Sequence, residues 1–110
     1  MYERIAKLVD RLHEKTEARA IAWEKSPSGN FQASFPRYTV ELSQGRDMNV
    51  YVTIYNDEGD ILERVSDKNL IDNQGTLEEG LVLNALYDIA RRIALGSDEA
   101  IDNLISALED

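Results

Sequence analysis

The chain has 110 residues and a mass of 12.5 kDa, which makes room for one domain, residues 1–110, able to bury roughly two-thirds of its unfolded surface without a metal or disulfide staple. Hydrophobic residues at 43% and charged residues at 30% exclude a disordered chain, and the absence of cysteine excludes disulfides, thiolate catalysis and cysteine-ligated zinc. Twenty-one acidic against twelve basic residues leave a formal charge of -9, which argues against binding to a phosphate backbone.

Ile5, Leu8, Val9, Leu12 and Thr16 recur at three-and-four spacing, with charges of both signs between them, and predict a helix that ends near Arg19. Ile21 would fall nearly opposite Leu12 on a helical wheel, so Ala20 to Lys25 reads as a short strand with Ile21 and Trp23 on one face. Lys25-Ser26-Pro27-Ser28-Gly29-Asn30 is a turn. Phe31, Ala33 and Phe35 then alternate with polar residues as a half-buried strand does, until Pro36 interrupts the ladder. Tyr38, Val40 and Leu42 resume the alternation, and Gln44-Gly45-Arg46-Asp47 forms a hairpin loop. Met48 to Tyr55 is the strongest strand: Met48, Val50, Val52 and Ile54 take one face, Asn49, Tyr51, Thr53 and Tyr55 the other. The acidic turn Asn56-Asp57-Glu58-Gly59-Asp60 leads into a partner strand, Ile61 to Ser66.

Asp67 to Gly75 reads as a polar connection. Thr76-Leu77-Glu78-Glu79 matches a capping box and opens a helix with Val82, Leu83, Leu86, Ile89, Ala90, Ile93 and Ala94 as its apolar stripe. Gly96 ends that helix and Ser97 caps a last one, in which Ile101, Leu104, Ile105 and Leu108 keep i, i+3, i+4, i+7 spacing. The expected fold class is α+β: an antiparallel meander with an N-terminal helix and two C-terminal helices packed on one face. Its expected core joins Ile5, Leu8, Val9 and Leu12 to Val40, Leu42, Val50, Val52, Ile54, Ile61 and Val65. Leu86, Ile89, Ile93, Ile101, Ile105 and Leu108 complete it.

Trp23-Glu24-Lys25, Phe31-Gln32-Ala33-Ser34-Phe35-Pro36, Tyr38-Thr39-Val40, Ile54-Tyr55-Asn56-Asp57-Glu58-Gly59 and Val65-Ser66-Asp67 form a pattern, closed by Leu86-Tyr87-Asp88-Ile89-Ala90-Arg91-Arg92. It resembles a group of small bacterial single-domain proteins with no established activity. The resemblance implies a bacterial source and a freestanding domain, and it brings no cofactor or catalytic residue to carry over.

Few residues carry candidate chemistry. His13 opens His13-Glu14-Lys15-Thr16-Glu17, where a zincin helix needs a second histidine at the place of Glu17, so a solvated helix face is the expectation. Asp67, Asn69 and Glu78 fit positions 1, 3 and 12 of a calcium-loop register, but Asp72 stands where that loop requires glycine. Asp57, Glu58 and Asp60 crowd one turn, where solubility and turn chemistry account for them. Glu41 and Glu63, the carboxylates within strands, fall on opposite faces of the sheet, so a catalytic pair is not expected. Neither a nucleophile elbow nor a phosphate-cradling loop is present in the sequence.

The face bearing Tyr51, Thr53, Tyr55 and Arg64 has the residue types of an interface centre, with Thr39, Glu41, Ser43, Asn49 and Leu62 as neighbours. The same residues are also good strand formers on a half-exposed surface. Residues 1–25 carry six basic and five acidic groups, whereas residues 26–110 carry six basic and sixteen acidic, and none of the residues from Ile93 onward is basic. Such a chain is steered toward a basic partner. No apolar run approaches the roughly 18 residues of a membrane span, and the charged Met1-Tyr2-Glu3-Arg4 is unlike a signal peptide. These observations predict a non-catalytic cytoplasmic interaction module, without cofactor or metal, that binds a protein or a second copy of itself through the tyrosine-bearing sheet face, or a partner through the acidic helical surface. An acidic inhibitor of a basic partner, and a small enzyme or ligand carrier with a carboxylate-lined pocket, are the alternatives.

Overall fold

The computed structural model describes residues 3–74 and 77–109, and their side chains except those of 71–79. Helix α1 (Glu3–Glu17) leads into five strands, β1 (Glu24–Lys25), β2 (Phe31–Phe35), β3 (Tyr38–Gln44), β4 (Val50–Asn56) and β5 (Ile61–Ser66). Helices α2 (Asp67–Gln74), α3 (Leu77–Leu95) and α4 (Ser97–Glu109) follow. The strands pair antiparallel in the order β1-β2-β3-β4-β5, as tight hairpins between consecutive strands require. The fold is α+β, an N-terminal helix and a five-stranded meander with C-terminal helices packing on it.

Local chemistry explains the turns. Pro36 and Arg37 form the two-residue connection between the paired Phe35 and Tyr38, with Arg37 at φ 77°, so Pro36 sits in the turn where its fixed φ is useful. After α1, the Ala20 and Arg19 amides donate to the Lys15 and Thr16 carbonyls at 2.9 and 3.0 Å, with Arg19 left-handed at φ 59°. That closure ends α1 at Glu17, within two residues of the end the wheel argument places near Arg19. Only Glu24 and Lys25 of the expected 20–25 strand pair with β2. Trp23 is nonetheless buried, its Nε1 donating to Thr16 Oγ1 at 2.9 Å and tying the chain back to α1.

Three expectations are corrected. Met48 is not the first residue of β4: it closes the hairpin loop at φ 69° with its amide donating to the Gly45 carbonyl, and its side chain lies in solvent. The stretch 67–74 is helix α2 and not a connection. Ser66 caps it, Ser66 Oγ accepting from the Asn69 amide at 3.0 Å and Asn69 Oδ1 from the Ser66 amide at 3.1 Å. This is the reciprocal arrangement of a capping box, with asparagine at the position where glutamate or glutamine is the familiar signal. The capping box read at Thr76 and Glu79 lies outside the described residues and side chains; α3 does begin at Leu77.

The third correction concerns the core. Val9, Leu12, Trp23, Val40, Leu42, Val50, Val52, Val65, Leu70, Leu83, Leu86 and Ala90 are buried together, with Ile5, Leu8, Ile93 and others packed around them. Ile61 is 56% exposed, because a bulge between Ile54 and Tyr55 shifts the β4–β5 register and leaves the start of the edge strand outside. Ile101, Ile105 and Leu108 are also exposed, and α4 buries no residue at all. The radius of gyration is 15.1 Å and the longest axis 55 Å, where a compact chain of this length would have a radius near ~13 Å. Leu86→Ala should lower the unfolding free energy by about 2–5 kcal/mol, whereas Leu104→Ala in α4 should change it by less than about 0.5 kcal/mol; urea denaturation of both variants checks the contrast. Val52→Asp or Leu86→Asp should abolish the cooperative melt.

Candidate functional site

Alternation along the paired strands puts Val40, Leu42, Val52 and Val65 on the buried face and leaves the other face to polar residues. Thr53 lies at the centre of that second face, opposite Glu41 on β3 and Arg64 on β5. The four residues singled out from the sequence, Tyr51, Thr53, Tyr55 and Arg64, are therefore neighbours. Thr53 is only 2% exposed, between the longer residues Glu41 and Arg64 that pair with it.

Both tyrosines are held by carboxylates. Tyr51 donates its hydroxyl to Asp47 Oδ2 at 2.8 Å, and the Arg64 guanidinium carbon stands 4.8 Å from the Tyr51 ring centroid. Tyr55 donates to Glu41 Oε1 at 2.9 Å, while Glu41 Oε2 accepts from Ser28 at 3.2 Å and Asn30 at 3.5 Å. Glu41 thus orders a tyrosine and pins the 26–30 turn. Glu63 pairs with Ile54 on the opposite face at an exposed edge, so the two strand carboxylates do not meet, as alternation predicts.

The other candidates separate. His13 Nδ1 lies 3.4 Å from Glu17 Oε1 along one helix face. Asp67 belongs to the first turn of α2, not to a calcium loop; its Oδ2 accepts from Asn84 at 2.8 Å and links α2 to α3. In the acidic turn, Asn56 Oδ1 accepts from the Glu58 and Asp60 amides, and this bonding accounts for the shape of the loop. Among the described residues, no group of three or more histidines, aspartates or glutamates is placed to hold a metal. No described helix is long and apolar enough to cross a membrane.

Two apolar surfaces escaped the sequence reading. One is a groove of about 600 Å³ between α1 and the sheet, walled by Leu8, Leu12, Ile21, Phe35, Val40 and Ile54 and flanked by Arg11 and Lys15. It encloses neither Glu41 nor Glu63, so its walls are not carboxylate-lined. The other is the stripe of α4, where Leu104 is 62% and Leu108 85% exposed. In sequence that stripe is the pattern of a core-facing helix; only its lack of bases hints that it faces something other than the body. Comparison of the chain with family models, curated proteins and solved structures finds no match, and function rests on the site's own geometry.

The hydroxyl bonds set the pH response. Hydrogen bonding from Tyr51 and the Asn49 amide holds the Asp47 carboxyl below its ordinary 3.8. The Asp47 bond holds the Tyr51 phenol above 10.0; burial, then Glu41, does the same for Tyr55. The Asp47 contribution to stability is complete above the unfolded carboxyl value and fades as pH falls through the lowered folded one; the tyrosine contributions are complete below 10.0 and fade as pH rises through the raised values. Tyr51→Phe should move Asp47 up toward 3.8 by NMR titration. Glu41→Gln should lower the Tyr55 value yet leave it above 10.0 by alkaline absorbance, since burial persists.

Proposed function

We propose that the protein is a non-catalytic protein-interaction module whose binding element is α4. The observation that carries this reading is the exposed stripe Ile101, Leu104, Ile105 and Leu108 on a helix that buries nothing. A 13-residue helix standing alone in water is marginal, and an apolar stripe left in water loses the burial that helices ordinarily gain from packing. An amphipathic helix laid in a hydrophobic groove is a recurrent recognition mode that supplies both. The acids Asp98 and Asp102 beside the stripe favour a groove with a basic rim.

The experiment is the native mass of the chain in extract of its own cells. It should run above the monomer, and Leu104→Glu, a change on an exposed position, should return it to monomer mass without lowering its melting temperature. An unchanged mass in the variant would refute the reading. A second reading, binding through the sheet face, is favoured by the prearranged Tyr51 and Tyr55, whose fixed rings lose little entropy on contact. It predicts that Tyr51→Ser with Tyr55→Ser, and not Leu104→Glu, removes the added mass.

A further inference from the structure

We infer that the partner of α4 is a second copy of this chain, and that its seat is the groove between α1 and the sheet, the two copies exchanging arms about a two-fold axis. The inference rests on the reading of α4 as the binding element and adds the partner and the seat.

The two surfaces match in chemistry. The groove offers an apolar floor with Lys15 and Arg11 at its rim, the latter also 3.2 Å from Glu14, and no acid among its lining residues. The arm offers four branched aliphatic side chains at helical spacing, flanked on one side by Asp98, Asp102 and Glu109, and no base. The alternative of pairing two arms directly would bring Asp98, Asp102 and Glu109 of each helix together with nothing to offset them. One contact of this kind already exists within the chain: Arg19 Nη2 lies 3.7 Å from Asp98 Oδ2, so the acidic start of α4 stands beside the basic end of α1.

The link explains why the seat belongs to another copy. Gly96, at φ +67°, is the one residue between the end of α3 and the start of α4; it turns the chain, and the Ala100 amide bonds back to its carbonyl at 3.0 Å. With Gly96 in that conformation α4 leaves α3 in a direction that keeps its stripe exposed, and none of its residues lines the groove of its own chain. A second copy accepts the arm as it stands. Because each arm begins beside its own groove, reciprocal exchange closes the pair, residue i of one copy meeting residue j of the other in both directions.

The test uses the purified full chain. Light scattering should give about twice 12.5 kDa. Leu104→Glu in the arm and Phe35→Glu in the groove, the latter at a position 39% exposed, should each remain folded by circular dichroism and weaken association at least tenfold. Arg11→Glu with Lys15→Glu should weaken it as well. Mixing the Leu104→Glu and Phe35→Glu chains should restore a one-to-one pair, since the first keeps an intact groove and the second an intact arm. The chain has no cysteine of its own, so Phe35→Cys with Leu108→Cys should oxidise to a disulfide-linked dimer.

A purified chain that stays monomeric into the millimolar range would overturn the inference, and so would a disulfide closed within one monomer. A dimer lost in Leu104→Glu but kept in Phe35→Glu and in Arg11→Glu with Lys15→Glu would overturn the seat. If the purified chain is monomeric while its mass in extract still depends on Leu104, this inference fails and the interaction-module reading stands; if neither depends on Leu104, both fail.

Discussion

The architecture depends on α3 burying apolar surface against α1, α2 and the sheet at the same time. Leu83, Leu86 and Ala90 lie at its buried centre, and the Phe31 ring meets Tyr87 edge-on with centroids 5.7 Å apart. A helix that serves several neighbours holds them at distances set by its own diameter, about 10–12 Å with side chains. Helix α1 therefore packs mainly on α3, and between its Leu8 side and the sheet residues Val40 and Ile54 a gap remains. Close packing fills most interiors, so a gap of about 600 Å³ with apolar walls is a surface that another molecule would bury at a gain in free energy.

The same constraint puts α4 outside. The neighbours of α3 have already taken its buried faces by the time the chain reaches Leu95, and the left-handed Gly96 redirects the backbone rather than continuing it. The final helix then carries the stripe of a buried element with too little of its own body beneath it to bury any of its residues. Its negative charge, continuous with the acidity of the C-terminal half, keeps such a stripe soluble and sets which rims attract it.

On the opposite side of the sheet, polar chemistry does the ordering. Asp47 sits in the β3–β4 loop, where its Oδ1 accepts from the Asn49 amide and its Oδ2 from Tyr51, so one carboxylate shapes the turn and fixes an aromatic ring. Glu41 does the same for Tyr55 and the 26–30 turn. The Tyr51 and Tyr55 hydroxyls are both engaged within the chain, which leaves their ring surfaces, rather than their hydroxyls, as what this face can offer a partner.

Most of the meander was legible in the sequence, because period-two alternation and turn residues are local signals and β2 to β5 express them strongly. Alternation alone placed Tyr51, Thr53, Tyr55 and Arg64 on one face and kept Glu41 from Glu63. Local pattern could not reveal α2, whose cap uses asparagine at the third position, nor the exposure of Ile61, which an extra residue, Leu62, in its own strand controls. Least of all could it separate α4 from the core. Spacing records that a helix has an apolar face but not what lies against it, since that depends on which surfaces other elements have already occupied. The groove has the same origin: no residue in it is unusual, and it exists because distant segments stop short of one another. Composition and periodicity, which act between near neighbours along the chain, determined the elements and their faces; the competition of whole elements for the same buried surface, which only the assembled structure resolves, decided which faces were left open.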